Sequence, residues 1–107
     1  MLLEPPQIAP FSFGKDIFDE GEYAQVSCAI SSGDLPLTIT WSLQGRGVAV
    51  QGGSESGIMT APMGQRASFL SIQSVGSQHS GTYTCTARNS AGNSSYSTNL
   101  MVNGKSS

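Results

Sequence analysis

Two cysteines and one tryptophan constrain this chain of 107 residues more than any other feature. Cys28 closes the alternating run Ala24-Gln25-Val26-Ser27-Cys28. Trp41 follows 13 residues later inside Ile39-Thr40-Trp41-Ser42-Leu43, and Tyr83 precedes Cys85 by two in Gly81-Thr82-Tyr83-Thr84-Cys85. Residues spaced by two share one face of a strand, so these runs put Cys28, Trp41, Tyr83 and Cys85 on inward faces. A chain of this length builds one domain around one core, small enough that a covalent cross-link matters. The two cysteines are either free core thiols or a disulfide, and a secreted domain favours the disulfide. Closing a loop of that length would stabilise the fold by roughly 4 kcal/mol. Zinc requires about four ligands, and His79 is the only histidine.

The order Cys, Trp, Tyr, Cys within one small domain, with tyrosine two residues before the second cysteine, is that of an immunoglobulin-like Greek-key β-sandwich. The rest of the chain agrees. Pro5-Pro6-Gln7-Ile8-Ala9-Pro10 suits an extended edge strand, because proline has no N–H to donate. Some of Phe11, Phe13, Ile17 and Phe18 should anchor that first segment to the core. A strand B over Tyr23–Ile30 points Ala24, Val26, Cys28 and Ile30 inward. Ser31-Ser32-Gly33-Asp34 breaks it, and Leu37, Ile39, Trp41 and Leu43 alternate in the next strand. Gln44-Gly45-Arg46-Gly47 reads as a tight turn with two permissive glycines. Val48 and Val50 read as an edge segment, and Gly52–Gly57 as a flexible loop. A strand D falls over Ile58-Met59-Thr60 and Pro62-Met63, where alternation is poor. Leu70 and Ile72 set the inward parity of a strand over Ser68–Gln73, with Phe69, Ser71 and Gln73 outward. Strand F spans Thr82–Asn89, Asn89-Ser90-Ala91-Gly92 is a hairpin turn, and Tyr96, Thr98, Leu100 and Val102 alternate in the last strand. No helix and no 20–50-residue repeat is expected. The domain occupies residues 5–103, between a stub at 1–4 and a linker or tail at 104–107.

Composition excludes several functions. Charged residues are 11 % of the chain and the net charge is −2, against roughly 25 % charged in an average domain. A nucleic-acid or anionic-membrane partner is therefore not expected. The 18 serines take the place of charge, so recognition should rest on shape, apolar contact and hydrogen bonds. No apolar run is long enough to cross a bilayer. Met1-Leu2-Leu3 is too short for a signal peptide, so any secretory leader lies outside this sequence.

No catalytic constellation is visible. His79 reads as a surface residue in the turn before Tyr83, since a triad needs a placed nucleophile and carboxylate. No nucleophile elbow, phosphate loop or metal motif is present, so no enzyme activity, cofactor or small-molecule substrate is expected. Asn93-Ser94-Ser95 is an N-glycosylation acceptor at the last hairpin. Phe69 is the misfit. Its neighbours Leu70 and Ile72 own the core parity, so an aromatic ring points outward beside Tyr23 and Ala29, with Met59 or Met63 bordering it. Such a group is a candidate contact patch. Arg46 and Arg66 read as solvated surface residues.

The stretch Leu70-x-Ile72-x-x-Val75-x-x-x-His79-x-Gly81-x-Tyr83-x-Cys85-x-Ala87-x-Asn89-x-x-Gly92 resembles the I-set of immunoglobulin domains. It departs from that pattern at His79, where the I-set usually has an acidic residue that pairs with an arginine, here Arg66. Pro5-Pro6-Gln7-Ile8-Ala9-Pro10-Phe11-Ser12-Phe13-Gly14 and Ser32-Gly33-Asp34-Leu35-Pro36-Leu37-Thr38-Ile39-Thr40-Trp41 narrow the likeness. Both are similar to the Down syndrome cell adhesion molecules (Dscam) of arthropods, in the variable domain that is seventh in long insect forms or first in short chelicerate forms.

The resemblance implies an I-set sandwich with a Cys28–Cys85 disulfide, in the extracellular part of a plasma-membrane protein flanked by sister domains. It also implies isoform-specific binding to an identical copy on an opposing cell, antiparallel, through the A-B-E-D face, in neuronal self-recognition. Expected contact residues are Tyr23, Gln25, Ser27, Ala29, Met63, Gln65, Ala67, Phe69 and Ser71. The alternatives are a heterophilic receptor or immune recognition module, and an intracellular structural domain of a muscle-type filament with reduced thiols and no self-association.

Overall fold

A computed structural model describes residues 3–44, 46–47 and 57–103, the pair 46–47 by its backbone alone. In chain order the strands among these residues are β1 (Gln7–Ile8), β2 (Ile17–Asp19), β3 (Ala24–Ser32), β4 (Thr38–Leu43), β5 (Arg46–Gly47), β6 (Ile58–Pro62), β7 (Ala67–Ile72), β8 (Gly81–Asn89) and β9 (Gly92–Asn103). They form two sheets, in the orders β1-β3-β7-β6 and β2-β9-β8-β4-β5. Pairing is antiparallel except between β2 and β9. This is the expected Greek-key sandwich. Strand D exists, as β6. The expected edge segment and loop at residues 48–56 lie outside the described residues, as does the tail at 104–107.

The inward parities hold throughout. Ala24, Val26, Cys28 and Ile30 of β3 face Trp41 of β4 and Tyr83, Cys85 and Ala87 of β8 across one buried core, with Leu70, Ile72 and Leu100. Cys28 and Cys85 are disulfide-bonded between the sheets. Trp41 lies opposite Cys85 in one sheet, and Ser68 opposite Cys28 in the other. The indole N–H donates to Ser68 Oγ at 3.0 Å, which explains a serine at a core position: a buried indole N–H needs an acceptor. The N-terminal aromatics anchor as expected, with one exception. Phe11 packs on Trp41 and Tyr96, and Phe13 on Phe18 and Tyr83. Ile17 instead points to solvent, because Phe18 beside it takes the inward position.

One local expectation is corrected, at His79. His79 is 2 % exposed rather than a surface residue. It ends a 3-10 turn, Ser77–His79. Its Nδ1 accepts the Gly76 N–H at 2.8 Å, and its carbonyl accepts the Tyr83 hydroxyl at 2.7 Å. The imidazole thus holds the turn that a carboxylate usually occupies, and the exposed Arg66 is not needed there. Burial pushes the Tyr83 phenol up from its ordinary pKa. At the β4–β5 turn, Gln44 adopts φ +54°. A non-glycine residue is held there because its Oε1 accepts the Thr82 N–H at 2.7 Å and its N–H donates to the Thr82 carbonyl at 2.9 Å. Glu4, before the first strand, is hydrogen-bonded to the domain. Its N–H donates to Asp34 Oδ2 at 3.0 Å, and its carbonyl accepts from the Asp34 N–H and from Asn89 Nδ2.

That last set of bonds belongs to a clamp at one end of the sandwich. Asn89 Nδ2 donates to the carbonyls of Glu4 and Asp34, while its Oδ1 accepts from Ala91 and Gly92. One side chain therefore joins the N-terminal segment, the β3–β4 loop and the β8–β9 turn. Pro6 is fully buried against this cluster. Gly33, at φ +127°, leaves it room: a Cβ there would lie 2.7 Å from Pro6 Cα and 3.1 Å from the Pro5 carbonyl oxygen. Both obstacles are backbone, so they cannot swing away. Gly33→Ala is expected to cost about 2 kcal/mol, read as a lower urea midpoint with an unchanged m-value.

At the opposite end, Glu22 staples the β2–β3 turn. Its Oε1 accepts from Lys15 Nζ at 2.8 Å and from the Asp19 N–H at 2.9 Å. The hydrogen bond from Lys15, then that from the Asp19 backbone, hold its carboxyl below the ordinary value. A depressed acid stabilises the fold above the ordinary carboxylate range and loses that contribution as pH falls through its folded pKa. Glu22→Gln should therefore melt below the parent at neutral pH and converge with it in acid, once the parent carboxylate is protonated. The effect is small because the pair is exposed.

Candidate functional site

Parity and register assemble the outer face of the β1-β3-β7-β6 sheet from rows of side chains. The central row is Ser27, Phe69 and Ala61. On one side lie Gln25, Ser71 and Met59. On the other, Ala29 pairs with Ala67, and Met63 donates its N–H to the Ala67 carbonyl at 2.8 Å. Ala9 extends this row from the N-terminal segment through a bond to the Ala29 carbonyl at 2.9 Å. Tyr23 stands just before β3 at the end of the face.

Phe69 therefore points out of the sandwich, on its middle strand, half-buried between two small neighbours. The phenylalanines of the first segment do not cover it, because Phe11 and Phe13 stack on the aromatic residues of the core. Three large apolar side chains on or beside the same sheet also stand in the open: Tyr23 at 50 %, Met63 at 44 % and Met59 at 42 % exposed. No residue of β3, β6 or β7 is charged. Arg66 is exposed in the β6–β7 turn, at the margin.

The expected contact residues sort unequally. Tyr23, Gln25, Ala29 and Met63 are exposed, and Ser27, Ala67 and Phe69 are partly so. Ser71 has the right parity but is only 6 % exposed, enclosed between Gln25 and Met59, and offers no contact surface. Gln65 sits in the β6–β7 turn rather than in a row of the face. It lines a cleft of about 780 Å³ between the sheets, together with Leu35, Pro36, Leu37, Ile39 and Pro62. Met59 and Ala61 complete the face and were not among the expected contacts. Ile58-Met59-Thr60-Ala61-Pro62 has no alternation to read, and only pairing with β7 assigns its two sides.

The outer face of the other sheet has different chemistry. Thr38, Thr40 and Ser42 of β4, Thr82, Thr84 and Thr86 of β8, and Ser95 and Ser97 of β9 line it, because their neighbours in sequence point into the core. Hydroxyls pair across the strands: Thr84 with Ser97 at 2.7 Å and Thr86 with Ser95 at 3.0 Å, while Thr82 donates to Asn99 Oδ1 at 2.8 Å. Asn93 is exposed on this face. Among the described residues, its exposed large apolar side chains are the adjacent pair Ile17 and Met101, 54 % and 58 % exposed, at the sheet's β2 edge.

Comparison with known proteins agrees with the fold. The immunoglobulin domain family matches residues 5–89. The chain is 40 % identical over 102 residues to the cell adhesion molecule Dscam1 of Drosophila melanogaster, covering 95 % of this chain and 5 % of that protein. It thus spans about a twentieth of the length of the curated relatives it matches. The solved structure of the Dscam1 Ig7 domain, isoform 5, superposes with a TM-score of 0.87 at 41 % identity, covering 92 % of this chain and 97 % of that one. The N-terminal eight Ig domains of DSCAM isoform 1.30.30 contain a similar domain, with a TM-score of 0.83 at 38 % identity over 92 % of this chain and 12 % of that one.

Proposed function

The chain belongs to the immunoglobulin-domain family, with Dscam cell adhesion molecules as its relatives, and from that premise we propose that it is a homophilic recognition domain of a cell-surface protein. These relatives are adhesion proteins built of Ig domains, not enzymes. In this reading the domain lies outside the cell, flanked by sister domains. It pairs antiparallel with an identical copy on an opposing cell through the outer face of the β1-β3-β7-β6 sheet, in neuronal self-recognition.

The observation that carries the proposal is the face with uncharged strands that holds Phe69 at its middle and exposes Tyr23, Met59 and Met63. In a two-fold pair every residue near the axis meets its own copy. A charge there would be repelled by itself, and this face has none on its strands. The aromatic ring and the two adaptable methionines supply apolar area. Isoform specificity follows from the same symmetry: one substitution appears twice in the pair, so a clash or an unpaired polar group counts twice. The hydroxyl ladder on the opposite face is satisfied within the chain and offers less to a partner.

Sedimentation of the purified chain across a concentration series tests the reading. Reversible dimerisation is expected. A chain that stays monomeric at the highest soluble concentration would remove self-binding by this domain alone.

A further inference from the structure

We propose that Asn93 carries an N-linked glycan, on the face of the sandwich turned away from the pairing surface. The inference rests on the chain being exported, and it is independent of whether the chain self-associates. Asn93-Ser94-Ser95 places a hydroxyl two residues after the asparagine, the pattern that the oligosaccharide-transferring enzyme of the secretory pathway reads.

The structure separates this asparagine from the other three in the chain. Asn89 spends its whole carboxamide on the clamp, donating to Glu4 and Asp34 and accepting from Ala91 and Gly92. Asn99 accepts from Thr82, and Asn103 donates to Asp19. Asn93 is exposed, and its carboxamide has no hydrogen-bond partner among the described residues. A side chain that holds no structure can take a substituent on its nitrogen without loss to the fold.

The direction of the side chain follows from the ladder. Ala87 is buried and lies opposite Ser94, so Ser94 turns inward, where its hydroxyl donates to the Pro6 carbonyl at 2.6 Å. Asn93, paired with Arg88, therefore turns outward, onto the side that carries Thr86, Ser95, Thr84 and Ser97. A glycan there extends over a polar, hydroxyl-rich surface. The whole thickness of the sandwich separates it from Phe69, Met59 and Met63.

In the transfer itself the carboxamide nitrogen of Asn93 attacks the anomeric carbon of a lipid-pyrophosphate-linked oligosaccharide. The C–O bond to the pyrophosphate breaks, a C–N bond forms, and the amide N–H proton is lost as the lipid pyrophosphate departs. No electrons are exchanged with an oxidant or reductant.

The test is to export the chain from cultured mammalian cells behind a secretion leader and to map its peptides by mass spectrometry. The peptide containing Asn93 should carry hexose and N-acetylhexosamine. Release by a peptide-N-glycosidase in heavy-oxygen water should leave labelled aspartate at position 93. Asn93→Gln and Ser95→Ala should each abolish the glycan while leaving the urea midpoint of the purified protein near that of the enzymatically trimmed parent. Exported, oxidised protein with Asn93 unmodified in its major species would overturn the site and leave the pairing face untouched. Sedimentation of the glycosylated and trimmed protein should give the same dimer equilibrium. A dimer that forms only after trimming would overturn the placement of the glycan away from the contact. A glycosylated chain that never dimerises supports the site and counts only against the pairing proposal.

Discussion

Replacing Cys28 and Cys85 together by alanine should lower the stability of the chain by about 4 kcal/mol. The bridge joins residues separated by 57 positions, so its loss frees a long loop in the unfolded chain. The chain-entropy estimate for such a loop is roughly 4 kcal/mol. Both sulfurs lie in the core at 0 % exposure, beside Trp41 and Ser68, so alanine also removes packed atoms there. A domain of this size has only about 5–15 kcal/mol of stability in total. Equilibrium urea unfolding of the oxidised parent and the double variant measures the difference directly. Reduction of the parent should move its midpoint in the same direction. A variant as stable as the parent would mean that the sandwich is held by its apolar core alone, as the structural-filament alternative requires.

Phe69→Asp should weaken self-association by about 3 kcal/mol, on the order of a hundredfold in Kd. Phe69 points outward from the middle of three uncharged strands, so the folded monomer should tolerate the change. In a two-fold pair the substitution places a carboxylate near its own copy on a surface with no strand cation to neutralise it. Desolvation and like-charge repulsion then act together. Sedimentation equilibrium measures the shift, and a thermal melt separates it from misfolding. A second variant reaches the same face by another route. Gln25→Asn creates a glycan acceptor on the exposed outer side of β3, because Ser27 already stands two residues further on. A glycan there should block pairing, and enzymatic trimming should restore it. If Phe69→Asp dimerises like the parent, the pairing surface lies elsewhere, and the exposed Ile17–Met101 pair becomes the first place to look.

The strands legible in the sequence are those with an anchor. Cys28, Trp41 and Cys85 set three parities outright. Leu70 and Ile72 set β7, which is why alternation alone assigns Phe69 to the outside. β6 has no such anchor. Ile58, Thr60 and Pro62 do not differ enough from Met59 and Ala61 in hydropathy to reveal a buried side, so the sequence puts Met59 only at the border of the face and does not reveal Ala61 at all. Ser71 shows the converse limit. Alternation gives direction but not exposure, and flanking side chains on β3 and β6 close over a residue that points outward.

His79 escapes a reading from sequence for a related reason. A polar residue in a Ser- and Gly-rich turn looks solvated, but its ring nitrogen is committed to the Gly76 N–H and its carbonyl to the Tyr83 hydroxyl. Such partners are chosen by the path of the turn, which local composition does not encode.

By itself, then, the order of residues determined a two-sheet sandwich with a Cys28–Trp41–Cys85 centre, the inward set of five strands, and an outward Phe69. These follow from period-two alternation, a property of neighbours along the chain. Tertiary structure alone decided that Pro6, Gly33 and Asn89 form one clamp, that β6 lends Met59 and Ala61 to the face around Phe69, and that Asn93 stands on the opposite side. Each of these depends on register between strands distant in sequence, which is set by the packing of the whole core rather than by any local pattern.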